Sequence, residues 1–96
     1  MLWVRLTTVT RKDDASHQNA VSKRGDEVVE KMDALESCQG AWKIRNPANH
    51  REGGILSLWN NEDDARKPPV HPPLDPPGNL GSHATGGPVT VVFEVV

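Results

Sequence analysis

Residues 40–67, GAWKIRNPANHREGGILSLWNNEDDARK, read as two short strands, a polar turn and the acidic opening of a helix. In AWKIRN, Trp42 and Ile44 alternate with Lys43 and Arg45; in ILSLW, Leu56 and Leu58 alternate with Ile55, Ser57 and Trp59. This two-residue period marks half-buried strands. Asn46, Pro47, Asn49, Gly53 and Gly54 punctuate the link, which predicts an antiparallel hairpin with a long loop. Trp59 is followed at once by NNEDDARK, where an asparagine suits a helix cap and three acids complement the positive end of the helix dipole. A bulky indole therefore ends a strand where a helix begins.

Upstream, residues 1–10 alternate, with Leu2, Val4 and Leu6 on one face and Trp3, Arg5 and Thr7 on the other, which predicts a first strand. A helix follows, capped by Asp14 or Ser16. Its apolar face is Val21, Gly25, Val28, Met32 and Leu35, in steps of four, three, four and three, and Glu27 and Lys31 form an i,i+4 pair outside it. Gly25 either permits close approach to a sheet or breaks the helix in two, and Gly40 stands where a left-handed cap stops a helix.

Downstream, the Pro/Gly-rich run at 68–87, PPVHPPLDPPGNLGSHATGG, ends the second helix by about Lys67 and predicts a mobile connector, cut first by proteases between Asn79 and Gly87. Arg66, Pro69 and Pro72 match the spacing of a polyproline ligand, although a rigid linker accounts for the same residues. Val89, Val91, Phe93 and Val95 alternate with Thr90, Val92, Glu94 and Val96 in a last strand.

The order strand, helix, strand, strand, short helix, strand predicts an α+β fold over residues 1–96. Its architecture is ferredoxin-like, a four-stranded antiparallel sheet with helices on one face. The uncovered face is expected to carry Trp3, Arg5, Ser57, Trp59, Val92 and Val96, too apolar for water, which predicts a homodimer.

Ninety-six residues allow one domain, and a net charge of −2 with mixed signs gives no basic stripe for nucleic acid and no polybasic membrane patch. The single cysteine, Cys38, allows no intrachain disulfide, and His17, His50, His71 and His83 lack metal-ligand spacing. Cys38 is placed in the last turn of the long helix, where the dipole disfavours a thiolate. With no window long and apolar enough to span a bilayer, a cytoplasmic protein is expected.

A helix ending in ESCQGAWKIRNPAN, then GGILSLWNNEDDA, then a terminal VTVVFEVV resembles the antibiotic biosynthesis monooxygenase-like family. The resemblance implies a dimeric α/β barrel in which two ferredoxin-like sheets pack face to face. It also implies a cofactor-independent monooxygenase acting on a flat aromatic phenol or quinone precursor. Trp59 matches the strand-end tryptophan that some quinone-forming members place in the substrate cavity, although a core or dimer-interface aromatic accounts for the same residue. Where those members have an asparagine four residues earlier, this chain has Ile55, and their tyrosine in the next helix falls near Asp64 or Ala65. The haem-degrading members use a tryptophan and a histidine on the second helix and an asparagine on strand one; here that helix runs into Pro68 and Pro69, strand one has no asparagine, and His71 among its prolines is the only histidine close by. Trp59, Arg5, Ser57, Asn60 and His71 are the candidate substrate-binding residues, with no metal, flavin or haem. The alternative is a non-catalytic barrel that binds a small hydrophobic ligand or has a structural role.

Overall fold

The computed structural model describes residues 1–10, 15–69 and 89–96, and within the first helix the side chains from Ser22 onward. Six elements follow in order: β1 (Trp3–Thr10), α1 (Ala15–Asp33), β2 (Cys38–Asn46), β3 (Asn49–Trp59), α2 (Glu62–Arg66) and β4 (Val89–Glu94). The strands form one sheet in the order β2-β3-β1-β4, every pairing antiparallel, which is the ferredoxin-like arrangement. Helix α1 packs on β2 and β3, and α2 packs on β1 and β3.

Helix α1 runs unbroken through Gly25, which faces the aliphatic stem of Lys43 with just enough room for one more carbon at 3.6 Å. Lys43 also ties the helix to β2, donating to Ser22 Oγ at 2.8 Å and to Asp26 Oδ1 at 2.9 Å. Val28 and Met32 from the expected stripe are buried, and Leu35 packs beside them although it lies past the helix end. Glu27 pairs with Arg24 at 3.6 Å.

Helix α1 stops at Asp33, several residues short of Gly40. Two turns complete the exit, with Leu35 N–H on the Met32 carbonyl and Cys38 N–H on that of Leu35. Gly40 is not a cap. It lies within β2, under the ring of Trp42, where an added Cβ would come within 2.6 Å of the indole.

The link between β2 and β3 is also shorter than its punctuation suggests, because Pro47 and Ala48 alone make the turn. Asn46 Oδ1 accepts from Ala48 N–H at 2.9 Å and Asn49 Oδ1 from Arg51 N–H at 3.2 Å, so the asparagines close the hairpin locally. Gly53 and Gly54 are strand residues.

The largest difference from expectation concerns the two faces of the sheet. Register places Cys38, Trp59, Trp3 and Glu94 in one row, Ala41, Ser57, Arg5 and Val92 in the next, and Lys43, Ile55, Thr7 and Thr90 in a third. These rows lie under the helices: Arg5, Ala41, Ser57 and Trp59 are buried, and Trp3, Ile55 and Val92 pack against the core. The uncovered face is the other one, carrying Val4, Leu6, Trp42, Ile44, Leu56, Leu58, Val89, Val91 and Phe93. Trp42 is 53% exposed and Phe93 57%. The expected assignment of Trp3, Arg5, Ser57, Trp59 and Val92 to the open face is therefore reversed.

Apart from Pro68 and Pro69, the Pro/Gly-rich run lies outside the described residues, and with it most of the expected connector, its protease site and Pro72 of the polyproline spacing. No helix among the described residues is long and apolar enough to cross a membrane.

Candidate functional site

Trp59 is the last residue of β3, and its side chain points into the layer between the sheet and the helices, where it is fully buried. Its neighbours in the core are Val28 and Met32 from α1, Ala41 from β2 and Ala65 from α2. An indole in such a place needs a partner for its one polar atom. Trp59 Nε1 donates to Ser57 Oγ at 2.8 Å, and Ser57 Oγ reaches the carbonyl of Arg5 at 3.5 Å. Because β3 side chains alternate, residues 57 and 59 share a face, and the β1 pairing brings Arg5 opposite Ser57.

Arg5 is only 3% exposed. Its guanidinium Nη1 donates to two main-chain carbonyls, those of Ala65 at 3.1 Å and Arg66 at 2.9 Å. Both belong to the last turn of α2, where carbonyls lack helical partners and carry the negative end of the dipole. Burying a cation is costly, and hydrogen bonds of this charged kind offset the cost at about 1.5–3 kcal/mol each.

Helix α2 has only five residues, so the tertiary contacts must hold it. Asn61 caps its start, accepting from Asp64 N–H at 3.2 Å, and Glu62, Asp63 and Asp64 fill the first turn as the sequence implies. Glu62 and Arg66 pair along its outer side at 3.4 Å. Its one buried side chain is Ala65, fully enclosed. Where the family resemblance implies a tyrosine, near Asp64 or Ala65, the residue facing the core has only a methyl group. Ile55, at the position of the family's asparagine, is half-buried and packs against the core.

The structure thus brings three of the five candidate residues together, Trp59, Ser57 and Arg5. Asn60 is exposed, and its backbone N–H donates to the Ser37 carbonyl at 3.1 Å, so it ties the end of β3 to the turn before β2. His71 lies outside the described residues. Sequence reasoning missed Ala65 and the α2 carbonyls as partners of Arg5, since main-chain acceptors have no residue code. The available signal was Ala65 itself, the one small apolar residue in EDDAR.

Cys38 opens β2, opposite Trp59, rather than ending α1. Burial pushes its thiol above the ordinary value, the charge of Asp33 adds to this, and a hydrogen bond with the Gly40 backbone partly offsets both. The thiol therefore stays protonated near neutral pH for a reason other than the helix dipole. Among the described residues, no group of three or more His, Cys, Asp or Glu side chains is placed to hold a metal ion.

Solved structures of the same shape cover almost the whole chain. The Mycobacterium tuberculosis protein Rv0793 superposes with a TM-score of 0.81 at 11% identity, over 100% of this chain and 96% of that one. A structure described as an antibiotic biosynthesis monooxygenase matches with a TM-score of 0.71 at 14% identity, over 100% and 99%. The chain shares their ferredoxin-like fold. A structure described as a dimeric ferredoxin-like protein of unknown function from Jannaschia sp. CCS1 has the same fold, with a TM-score of 0.76 at 13% identity over 99% of this chain and 100% of that one. No protein-family model and no curated protein matches the sequence. At such identities the fold alone is what is shared, and the chemistry must be argued from the residues.

Proposed function

We propose that this chain is a small monooxygenase-like protein, working as a cytoplasmic homodimer, that takes a flat aromatic phenol or quinone precursor against Trp59 without metal, flavin or haem. The observation supporting this is the set of buried polar groups beside Trp59, whose indole donates to Ser57, which reaches the main-chain carbonyl of Arg5, the other buried polar residue of the described chain. An indole offers a stacking wall, and a hydroxyl and a guanidinium offer donors to an oxyanion. An anthrone brings its own reducing electrons. When its methylene is oxidised by O2, one oxygen atom becomes the new carbonyl and the other leaves as water with the two methylene hydrogens.

Purified protein incubated with an anthrone or a dihydroquinone in air is expected to speed quinone formation. Rates equal to the uncatalysed ones across several such compounds would remove the oxygenase reading. A second reading then stands, a non-catalytic dimeric barrel with a hydrophobic ligand or a structural role. It is favoured by the complete burial of Trp59 and by Ile55 and Ala65 at the family's polar positions.

The homodimer is supported by the uncovered sheet face, where apolar side chains from all four strands would otherwise meet water. Phe93→Asp is expected to shift the sedimentation mass from dimer to monomer while leaving the far-ultraviolet dichroism intact, because it places a charge on the outer face. Val92→Lys would not test this, since Val92 faces the helices. A wild-type monomer at micromolar concentration would refute the dimer.

A further inference from the structure

We propose that Trp42 is the anchor by which the open sheet face holds a second copy of this chain, and that Gly40 is the positioning residue that keeps its indole low enough for two faces to close. The inference rests on the homodimer reading above and names the residues that carry it.

Strand pairing places apolar side chains from every strand on the open face, in the rows that cross the sheet from Gly40, Trp42 and Ile44, and no charged residue stands in these rows. Lys43 and Arg45, the bases between them on β2, fall on the helix side, where Lys43 pairs with Asp26 at 2.9 Å. Beyond the Ile44 row the next residue of β3 on the open face is Glu52, an acid. A charged partner therefore finds nothing to pair with here, and the lysines and arginines that draw a face to an anionic membrane are on the wrong side. A surface without charges is complementary to itself, and a second copy presents that same surface in an isologous contact.

Trp42 is the largest side chain on this face, and it is exposed. The lie of its ring is set by what stands beneath it. A Cβ on Gly40 would come within 2.6 Å of the indole Cη2, 2.9 Å of Cζ2 and 3.3 Å of Cζ3. These are outer atoms of the ring, and they sit over a residue two positions back along the strand, so the indole leans along β2 and does not stand out from it. Stacked sheets lie about 10 Å apart, and an upright indole from each copy would hold two such faces apart. Leaning over Gly40, the ring offers a broad apolar side to the partner, and tryptophan is among the residue types most enriched where interfaces are held. The nearest atoms to a Cβ at position 40 are all at the far end of Trp42, so alanine there is accommodated by turning the indole out, with the strand unchanged.

Sedimentation equilibrium of the full chain gives the dimer dissociation constant for wild type, Trp42→Ala, Gly40→Ala and the double variant. Trp42→Ala is expected to raise it at least about tenfold, and Gly40→Ala several-fold, each with unchanged far-ultraviolet dichroism. The double variant should be no weaker than Trp42→Ala, because Gly40 acts through the indole. Effects of the two substitutions that multiply independently would overturn the positioning role, as would loss of the fold in Gly40→Ala, which would show that the indole cannot turn out. An unchanged constant in Trp42→Ala would overturn the anchor while leaving the homodimer in place. A wild-type monomer would overturn both. Vesicles of anionic phospholipid should leave the wild-type tryptophan emission unshifted, and a blue shift that Trp42→Ala abolishes would overturn the second copy as the occupant of this face.

Discussion

Trp59→Ala is expected to destabilise the fold by about 3–5 kcal/mol, the range for truncating a fully buried aromatic. Against a total of roughly 5–15 kcal/mol, this leaves a chain near the edge of folding. For a domain of this size the melting temperature should fall by roughly 15–30 °C, read by thermal dichroism. The indole is enclosed by side chains from both helices and from the sheet, so its removal opens a cavity that no single neighbour fills. Trp59→Phe keeps most of the ring volume and removes the donor to Ser57, at a cost of about 1–2 kcal/mol. A loss below about 1 kcal/mol in Trp59→Ala would show that the ring is not part of the core. Because Trp59→Ala conflates packing with chemistry, Trp59→Phe is the variant in which lost quinone formation speaks to function.

Gly54→Ala is expected to cost about 3 kcal/mol, the upper end for overpacking, although it adds one methyl group. An ideal Cβ on Gly54 would lie 1.8 Å from the Thr7 carbonyl oxygen and 2.9 Å from Thr8 Cα. Both are backbone atoms of β1, paired in the same sheet, so neither can turn away as a side chain would. The reason for glycine here is close approach between strands rather than an unusual backbone angle. Urea unfolding of Gly54→Ala beside Gly25→Ala makes the comparison internal. The nearest atoms to a Cβ at Gly25 are those of the Lys43 stem at ordinary contact distance, and alanine is the better helix former, so that variant should be neutral or more stable. Equal stability of Gly54→Ala and wild type would show that β1 and β3 do not pair as closely as described.

The local chemistry of the chain was legible in its sequence. The alternation in residues 1–10, 41–46, 55–59 and 89–95, the stripe of Val28 and Met32, and the run of asparagine and acids before Ala65 determine four strands and two helices in their order, because each depends on neighbours a few residues apart. That Arg5, Ser57 and Trp59 each lie in the odd-numbered row of their strand was also readable. Which row the helices cover was not. A two-residue period separates the faces of a strand without ranking them, and here the row with Arg5 and Ser57 is covered while the row with Val4, Leu6, Trp42 and Phe93 is open. Hydrophobicity alone favours the opposite choice. The side on which α1 and α2 pack decides the matter, and that choice, like the grip of Arg5 on two carbonyls sixty residues away, exists only once the strands are assembled.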